Sequence, residues 1–368
     1  MRILVTGGAG FIGSHLVDRL VENKLDVVVV DKLLKPTHIN GVPTYINSKA
    51  KYYWEDIGSL KKSSEAFKDI DVIFHLASFG GVTHSISKYY KENTLTTANF
   101  LQSIKELKRK PSKIIVASSM AVYGEGKYYD NNCNLHFPES RSLEDLLKLN
   151  WDFSVNGGKL TPQKSNENDY IRPLTHYALS KYDQERMVLN FCQTEDISGL
   201  ATRFYLTYGP RQSLSNPYTG IFSIFSSQIL NGCSPVIFED GNQTRDLIFV
   251  DDLIDGLMIL LDSKPNDRKI YNIGTGKSQR IIDIAKLLAF KINKNIKIEH
   301  SNNFRIGDVR NTMSDISAMN ELGFFSKTSL DNGVNKYLDW FYSQKMIKSN
   351  FKNAFTKLAK NGIIKISK

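Results

Sequence analysis

Tyr177 and Lys181 pair a phenol with a cation four residues apart, a spacing that places both side chains on one face of a predicted helix. A nearby ammonium group lowers the pKa of a phenol from about 10 towards neutrality. The phenol of Tyr177 could then remove a proton from a hydroxyl group while a hydride leaves the same carbon. The pair therefore indicates oxidation and reduction at a carbon that bears a hydroxyl.

The spacing of Tyr177 and Lys181 is weak support when taken alone, because Tyr45 and Lys49 have the same spacing. Tyr177 differs in that it follows an apolar run that ends in two hydroxyl side chains, Ser118 and Ser119. Ser119 could hydrogen bond to the same substrate oxygen as Tyr177. We predict that Ser119, Tyr177 and Lys181 are the catalytic residues.

A glycine-rich turn follows the first apolar run of the chain, where Gly7, Gly10 and Gly13 fit the spacing G-x-x-G-x-x-G. Glycines between a strand and a helix allow the backbone to approach a pyrophosphate, whose charge is favoured at the helix N-terminus. Asp31 ends the next apolar run and can accept hydrogen bonds from both ribose hydroxyls of an adenosine, whereas it repels a 2′-phosphate. The turn therefore predicts NAD rather than NADP, a preference that Lys32 weakens slightly.

Apolar runs alternate with helical periodicity along the first two thirds of the chain, which is typical of buried parallel strands connected by helices. The predicted strands are 2–6, 27–30, 71–77, 113–117 and 200–206, and the predicted helices are 14–23, 94–107 and 177–192. This order indicates an α/β fold with a doubly wound parallel sheet and helices on both faces.

Later segments break this alternation and predict a smaller α+β lobe at the C-terminal side. We assign residues 1–206 to the dinucleotide-binding domain, and we expect 247–263 to return to it. An insertion at about 125–172 has weak periodicity and is too long for a simple loop, so it should have some structure of its own. The segments 207–246 and 264–344 form the predicted substrate lobe.

The net charge of +10 is concentrated in residues 345–368, which contain seven lysines and no acidic residue. A nucleic-acid-binding protein would instead carry basic and aromatic residues over a folded face, so we exclude that class. Apolar residues of the tail repeat at helical spacing, which predicts a basic amphipathic helix. This helix would pack on its own body or a partner subunit in preference to an anionic membrane.

The cysteines Cys133, Cys192 and Cys233 are few and widely spaced, which favours reduced thiols in the cytoplasm over a disulfide framework. The first residues resemble a strand and not a secretion signal, and no apolar run is long enough to cross a bilayer. Cys133 and His136 are two ligands where a structural zinc site needs four, so we predict no metal.

A series of motifs extends over residues 1–320. They are Thr6–Gly13, Asp56 with Ile57, His75–Ser78, Ser118–Gly124, Tyr177 with Lys181, Tyr208–Gln212, Arg245 with Asp246, and Arg305–Asp308. In this order the motifs resemble the extended short-chain dehydrogenases/reductases of the NAD-dependent epimerase/dehydratase family. The resemblance implies a Rossmann fold, NAD as cofactor, a nucleotide-diphosphate sugar as substrate and a homodimer.

The resemblance also implies which residues bind each ligand. The implied cofactor-binding residues are Gly7, Gly10, Phe11, Ile12, Gly13, Asp31, Asp56, Ile57, Leu76, Ala77, Ser78, Asn93, Ser118, Tyr177, Lys181 and Phe204. The implied substrate-binding residues are Ser119, Met120, Thr219, Arg245, Arg305 and Asp308. Two arginines suit a diphosphate because each offers a fork of donors and a permanent charge.

Met120 and Ala121 occupy the positions where dehydratases of the family carry an acid pair and decarboxylating relatives carry a glutamate. Neither side chain can transfer a proton, so the resemblance implies a 4-epimerase, closest to the branch that contains dTDP-L-rhamnose 4-epimerases and supplies polysaccharide biosynthesis. Two alternatives stay open: a reductase of 4-ketosugars that consumes NAD(P)H, and a regulator that binds NAD without turnover.

Overall fold

A computed structural model describes residues 1–35, 37–80, 85–214, 220–264, 270–292, 295–344, 356, 360 and 364–365. Thr219, a predicted substrate-binding residue, and the predicted apolar face of the tail lie outside the described residues. No helix in the described part of the chain is long and apolar enough to cross a membrane.

The strands and helices are numbered in chain order. The strands are β1 (Arg2–Thr6), β2 (Asp26–Val30), β3 (Lys51–Tyr53), β4 (Val72–His75), β5 (Lys113–Ser119), β6 (Tyr128–Tyr129), β7 (Leu135–His136), β8 (Ser154–Val155), β9 (Gly158–Lys159), β10 (Thr161–Pro162), β11 (Ser198–Phe204), β12 (Leu206–Tyr208), β13 (Thr244–Phe249), β14 (Ile270–Ile273), β15 (Ser278–Arg280), β16 (Phe304–Arg305) and β17 (Ile364–Lys365). The α-helices are α1 (Phe11–Glu22), α2 (Ile86–Tyr89), α3 (Thr96–Lys105), α4 (Leu143–Leu147), α5 (His176–Thr194), α6 (Ile221–Leu230), α7 (Val250–Asp262), α8 (Ile281–Ile292), α9 (Ser317–Glu321) and α10 (Leu330–Ser343), and a π-helical segment, Tyr90–Leu95, links α2 to α3.

The central sheet has the strand order β14-β11-β5-β4-β1-β2-β3, and every neighbouring pair is parallel. Alternate residues of β1 belong to two different cores. Ile3 and Val5 pack in one cluster with Leu16 of α1, and Leu4 packs in the other with Phe100 of α3. Both faces of the sheet are therefore covered by helices, which confirms the predicted doubly wound α/β fold.

Strand β14 corrects the predicted domain limits. Residues 264–344 were expected in the substrate lobe, but Ile270–Ile273 pair with β11 at the edge of the central sheet. Tyr271 and Ile273 are buried there. The four side chains of β14 are compatible with the central sheet and with the substrate lobe. Pairing with β11, about 70 residues away in sequence, decides between the two.

The second lobe contains a smaller sheet in which β12 pairs parallel with β13 and β15 pairs antiparallel with β13. Helices α6 and α8 pack against each other beside this sheet, while α7 packs on α1 of the dinucleotide-binding half. The chain thus crosses between the two halves more than once, and the space between them forms a cleft.

The insertion and the tail both contribute small sheets. In the insertion, β6 pairs with β7 and β10, and β8 pairs with β9 to form a hairpin. Near the other end of the chain, β17 pairs antiparallel with β16, which places Ile364 opposite Arg305. This part of the tail therefore lies on the body of its own chain.

A buried ion pair connects helix α5 to the sheet. Arg203 on β11 donates to both carboxylate oxygens of Glu185 on α5, at 3.0 and 2.7 Å. Ser118 on β5 donates to the same carboxylate at 2.6 Å. All three side chains are buried, so each depends on the others for its hydrogen bonds.

We expect Glu185→Ala to lower the free energy of unfolding by about 3–5 kcal/mol, because Arg203 would become an unpaired buried charge. Arg280→Ala is the matched control, since the pair that Arg280 forms with Asp283 is exposed and should contribute less than about 1 kcal/mol. Urea denaturation at pH 7 measures both values. Equal losses in the two variants would contradict the prediction.

Candidate active site

A cleft of about 960 Å³ opens at the carboxyl ends of the parallel strands and continues into the second lobe. The structure brings most predicted site residues to this cleft. They are Gly7, Gly10, Phe11, Ile12, Gly13, Asp31, Asp56, Ile57, Leu76, Ala77, Ser78, Ser118, Ser119, Met120, Tyr177, Lys181, Phe204, Arg245, Arg305 and Asp308. Residues from distant parts of the chain meet here because parallel strands end at one edge of the sheet.

The glycine-rich turn forms a cradle that side chains would fill. A Cβ atom on Gly13 would lie 2.2 Å from the carbonyl oxygen of Gly7, and Gly7 itself has a φ of +73°. Helix α1 begins after Gly10 without a side-chain cap and without an acidic residue in its first turn. Its first amide groups are therefore available to an anion, as a pyrophosphate requires.

Asp31 holds this turn from the end of β2. Its carboxylate accepts hydrogen bonds from the amides of Ala9, at 3.0 Å, and Leu33, at 2.8 Å. Each oxygen retains a lone pair that can accept from a ribose hydroxyl. The position of Asp31 at the cleft fits an adenosine ribose without a 2′-phosphate.

Lys32 does not offset the charge of Asp31, contrary to the slight weakening expected from its place in the sequence. Its ammonium donates to Asp56 at 2.8 Å and also pairs with Glu92. Two carboxylates thus neutralise this lysine and raise its pKa against the effect of burial. This end of the cleft is net negative, which favours NAD over NADP.

Helix α5 places Tyr177 in its first turn. The helix begins after Thr175, whose side chain accepts from the amide of Ala178 at 3.1 Å. Tyr177 hydrogen bonds to Ser119 at the end of β5, and this bond partly offsets the rise in its pKa caused by burial. The partial positive charge of the helix N-terminus also favours the phenolate.

Lys181 lies one turn further along α5 and donates to the side-chain oxygen of Gln184 at 2.7 Å. Burial lowers the pKa of Lys181 to about 7. The sequence predicted that this ammonium would lower the pKa of Tyr177, but burial dominates both groups, and the pKa of Tyr177 is raised. That expectation is wrong for this arrangement, in which Lys181 is directed to Gln184.

Gln184 belongs to a buried polar cluster that connects α5 to α3 and to the end of β4. Its amide nitrogen donates to Thr97, at 2.9 Å, and to the carbonyl of Ala77, at 3.2 Å. His75 bonds Thr97 on the same side, and burial lowers its pKa to about 3, so that the ring is neutral. These bonds fix which end of the Gln184 amide faces Lys181. Sequence reasoning missed Gln184, although its position three residues after Lys181 places it on the same side of the helix.

Asn93 differs from the other predicted cofactor-binding residues because it does not line the cleft. Its buried side chain bonds the amide and carbonyl of Phe79, at 2.6 and 3.1 Å, and Ser180, at 2.8 Å. The prediction of a direct contact between Asn93 and the cofactor therefore has no support in this structure. Asn93 instead holds the strand-end loop that forms one wall of the cleft.

Two arginines face the cleft from the second lobe. Arg245 donates to the carboxylate of Asp308 at 2.9 Å. The guanidinium of Arg305 lies 4.5 Å from the centre of the Phe238 ring, and its Nε atom is buried without a hydrogen-bond partner among the described residues. Burial lowers the pKa of Arg305, and the neighbouring charge of Arg245 lowers it further. Such a pair of cations is suited to a dianionic group such as a diphosphate.

Comparisons with known proteins agree with this geometry. The family model described as "NAD dependent epimerase/dehydratase family" matches residues 3–143 and 154–274. The chain belongs to this family.

A dTDP-L-rhamnose 4-epimerase from Burkholderia thailandensis is 30% identical over 346 residues, which cover 92% of this chain and 94% of that protein. A putative UDP-glucose 4-epimerase from Methanocaldococcus jannaschii is 32% identical over 343 residues, 92% of this chain and 97% of that protein. The crystal structure of a UDP-glucuronic acid 4-epimerase from Bacillus cereus, in complex with UDP-glucuronic acid and NAD, has a TM-score of 0.76 at 27% identity, covering 93% of this chain and 99% of that one.

Membership of the NAD-dependent epimerase/dehydratase family confirms the predicted fold and NAD as cofactor. The cradle at Gly7–Gly13, the open N-terminus of α1 and the position of Asp31 fit this cofactor. In the described part of the chain, no three His, Cys, Asp or Glu side chains are grouped to hold a metal ion.

Met120 and Ala121 line the cleft directly after Ser119, in a short 3₁₀ helix, Met120–Tyr123. The positions that carry proton-transferring side chains in dehydratases and decarboxylases of the family thus hold apolar groups at the site itself. The predicted catalytic residues Ser119, Tyr177 and Lys181 line the same cleft and carry groups that can exchange a proton.

We expect Lys181→Met to raise the free energy of unfolding by roughly 2–4 kcal/mol at pH 6, because a buried lysine with a lowered pKa is destabilising in its charged form. The folded pKa of about 7 is below that of the unfolded chain, so this penalty is complete below pH 7. It disappears as the pH rises towards 10, and the advantage of the variant should disappear with it. Urea denaturation at pH 6 and pH 9.5 checks this, and a difference that does not change with pH would contradict it.

Proposed function

We propose that the chain catalyses NAD-dependent C4 epimerisation of a nucleotide-diphosphate sugar. The observation that carries this proposal is the placement of two cationic side chains, Arg245 and Arg305, at the far end of the cleft that holds Ser119, Tyr177 and Lys181. A nucleotide diphosphate bound at the arginines directs the sugar back towards the catalytic groups. The chain is thus an isomerase that requires NAD, and its relatives support this assignment.

The catalytic residues have separate tasks in this reaction. The turn Gly7–Gly13 and Asp31 would hold NAD, which would supply reversible hydride transfer for oxidation at C4 and for reduction on the opposite face of the sugar. Tyr177 acts as the phenolate, which the hydrogen bond from Ser119 and the N-terminus of α5 favour against burial. In this form it takes the proton of the C4 hydroxyl as the hydride leaves, and it gives the proton back as the hydride returns. Ser119 hydrogen bonds to the same oxygen and holds it at Tyr177. Met120 and Ala121 add no group that could remove a proton at C5 or C6, so the 4-keto intermediate is reduced again without elimination.

The finer assignment is a dTDP- or UDP-hexose, and we favour the branch of dTDP-L-rhamnose 4-epimerases. A curated relative of that name aligns with 92% of this chain. The run from Gly209 to Gly220, together with Phe238–Gly241, resembles that branch. Sugars of this kind are precursors of polysaccharides, which is the pathway class that we propose.

We also propose a cytoplasmic homodimer. Cys133 and Cys233 are free, exposed thiols, as a reducing compartment allows. Exposed apolar side chains on the adjoining segments α2, Tyr90–Leu95 and α5 support a subunit contact, namely Ile86, Leu95 and Leu179.

Proton NMR of the purified protein with dTDP-L-rhamnose, and separately with UDP-glucose, tests the reaction without added cofactor. We expect a new anomeric signal that reaches a fixed ratio with one substrate and no net change in NADH. Turnover that appears only with NAD(P)H and a 4-ketosugar would instead identify a reductase. Binding of NAD without any turnover would identify a regulator.

Tyr177→Phe is expected to lower kcat by roughly 10²–10⁴-fold, because the variant keeps the ring but loses the group that transfers the proton. Binding of NAD and of the nucleotide should be retained, which calorimetry can verify. Tyr45→Phe is the matched control, since that tyrosine bonds the carbonyl of Ala9 and does not face Ser119. Full activity of Tyr177→Phe would refute the mechanism.

Arg305→Met is expected to weaken binding of dTDP and UDP by roughly ten- to a hundredfold, because charge-assisted hydrogen bonds to phosphate are lost. The same change removes a partly buried charge whose pKa is lowered by its surroundings, so the unliganded protein should become more stable. Calorimetric titration and urea denaturation measure the two effects. Unchanged affinity would show that the diphosphate does not bind at Arg305.

A further inference from the structure

The insertion, residues 125–172, supplies charged side chains to a network shared with the second lobe. The insertion contributes Glu125, Arg141 and Asp152, and the lobe contributes Glu239, Asp240 and Arg310. Arg141, Glu125, Glu239 and Arg310 are buried. Buried charges of this kind are costly unless each one is paired, so the network commits the insertion to a single position on the lobe.

Two members of the network hold the backbone of the segment 305–310, which carries Arg305 and Asp308. One terminal nitrogen of the Arg141 guanidinium donates to the carbonyl of Asp308 at 2.7 Å. The carboxylate of Glu125 accepts from the amide of Arg310 at 2.7 Å. The insertion thereby bonds the main chain on both sides of Val309.

Glu239 connects the two arginines of the network. It accepts from Arg141 at 2.8 Å and from Arg310 at 2.9 Å. Arg310 also forms a bidentate pair with Asp240, at 2.7 and 2.9 Å, and donates to Asp152 at 2.9 Å. The end of the segment 305–310 is thus fixed by side-chain bonds as well as by main-chain bonds.

The same segment reaches the cleft through Asp308. Its carboxylate accepts from Arg245, so displacement of the Asp308 backbone would move the partner of Arg245 and the neighbouring Arg305. Ligand sites lose affinity when supporting groups shift by even about 1 Å. The contacts of the insertion with the backbone of 305–310 therefore affect the positions of Arg245 and Arg305. Arg141 itself does not line the cleft.

We propose that the insertion positions the segment 305–310 for the nucleotide diphosphate of the substrate, with Arg141 as the positioning residue. This inference rests on the proposed function, because it assumes that the anion at Arg245 and Arg305 is the substrate diphosphate. Arg141 fits the role because its fork reaches Glu239 with one terminal nitrogen and Asp308 with the other. A lysine has the same charge but lacks the planar fork, so it loses the arrangement in which two separate nitrogens each bond one acceptor.

The test compares Arg141→Lys with Arg172→Lys in the full-length protein with NAD. Arg172 is the matched control, because it lies at the end of the same insertion and bonds the carbonyl of Phe137 within it. We expect Arg141→Lys to weaken the binding of dTDP and UDP about tenfold in calorimetry and to raise KM by a similar factor. Its kcat and NAD affinity should stay within about twofold, because the catalytic groups on α5 do not touch the network. Arg172→Lys should match the wild type.

Nucleotide affinity of Arg141→Lys within twofold of wild type would overturn the inference, and so would a loss confined to kcat. Failure of the wild type to bind dTDP and UDP, or full binding by Arg305→Met, would instead refute the proposed function. If Arg141→Lys does not fold, Asp152→Asn decides, because Asp152 is partly exposed and contacts the side chain of Arg310. That variant should raise KM about two- to threefold with kcat unchanged, and an unchanged KM would overturn the inference.

Discussion

The ion pair between Glu185 and Arg203 holds helix α5 against the neighbouring strands β5 and β11. The relative positions of the residues that line the cleft on α5 and β5 depend on this ion pair. Glu185 is on α5, Arg203 is on β11, and Ser118 on β5 bonds the same carboxylate. The helix carries Tyr177 and Lys181, and the strand β5 ends at Ser119. A helix that slid along the sheet would break charged hydrogen bonds in a buried environment, so the three catalytic groups keep one relative position.

The cleft carries carboxylates at one end and arginines at the other. This difference in charge suits the two proposed ligands, NAD and a nucleotide diphosphate, to different ends. Asp31 lies at the end formed by β2, and the neighbouring cation Lys32 is paired with both Asp56 and Glu92. At the other end, Arg305 stacks on Phe238 beside Arg245. An adenosine without a 2′-phosphate suits the negative end, and a diphosphate suits the positive end. The predicted catalytic residues Ser119, Tyr177 and Lys181 line the same cleft.

Local sequence patterns predicted the sheet, the glycine turn and the catalytic helix, because each is encoded by residues close together in the chain. The apolar runs of β1, β4 and β5 are buried as expected. The place of β14 could not be predicted, because its four residues are compatible with either lobe and a distant strand decides the pairing. Asn93 was assigned to the cofactor by the family resemblance alone, whereas its bonds to Phe79 follow from the tertiary fold.

The ionic partners of the insertion could be predicted from the sequence even less than the place of β14. Nothing in the local sequence pairs Arg141 with Glu239, which is about a hundred residues away. The pKa of Lys181 could not be predicted from the sequence either, since it is lowered by burial in the tertiary fold and raised in part by the charge of Glu185. Residue type and spacing predict which groups react, but the surroundings that tune these groups are set by packing.

Strand β17 has a practical consequence for the preparation of this protein. Ile364–Lys365 pair with Phe304–Arg305, so β17 shares a two-stranded sheet with the strand that carries Arg305. Ile364 is buried in this contact. Proteolytic loss of β17 during purification would remove a partner of that strand, so the intact mass of each sample should be checked before kinetic measurements.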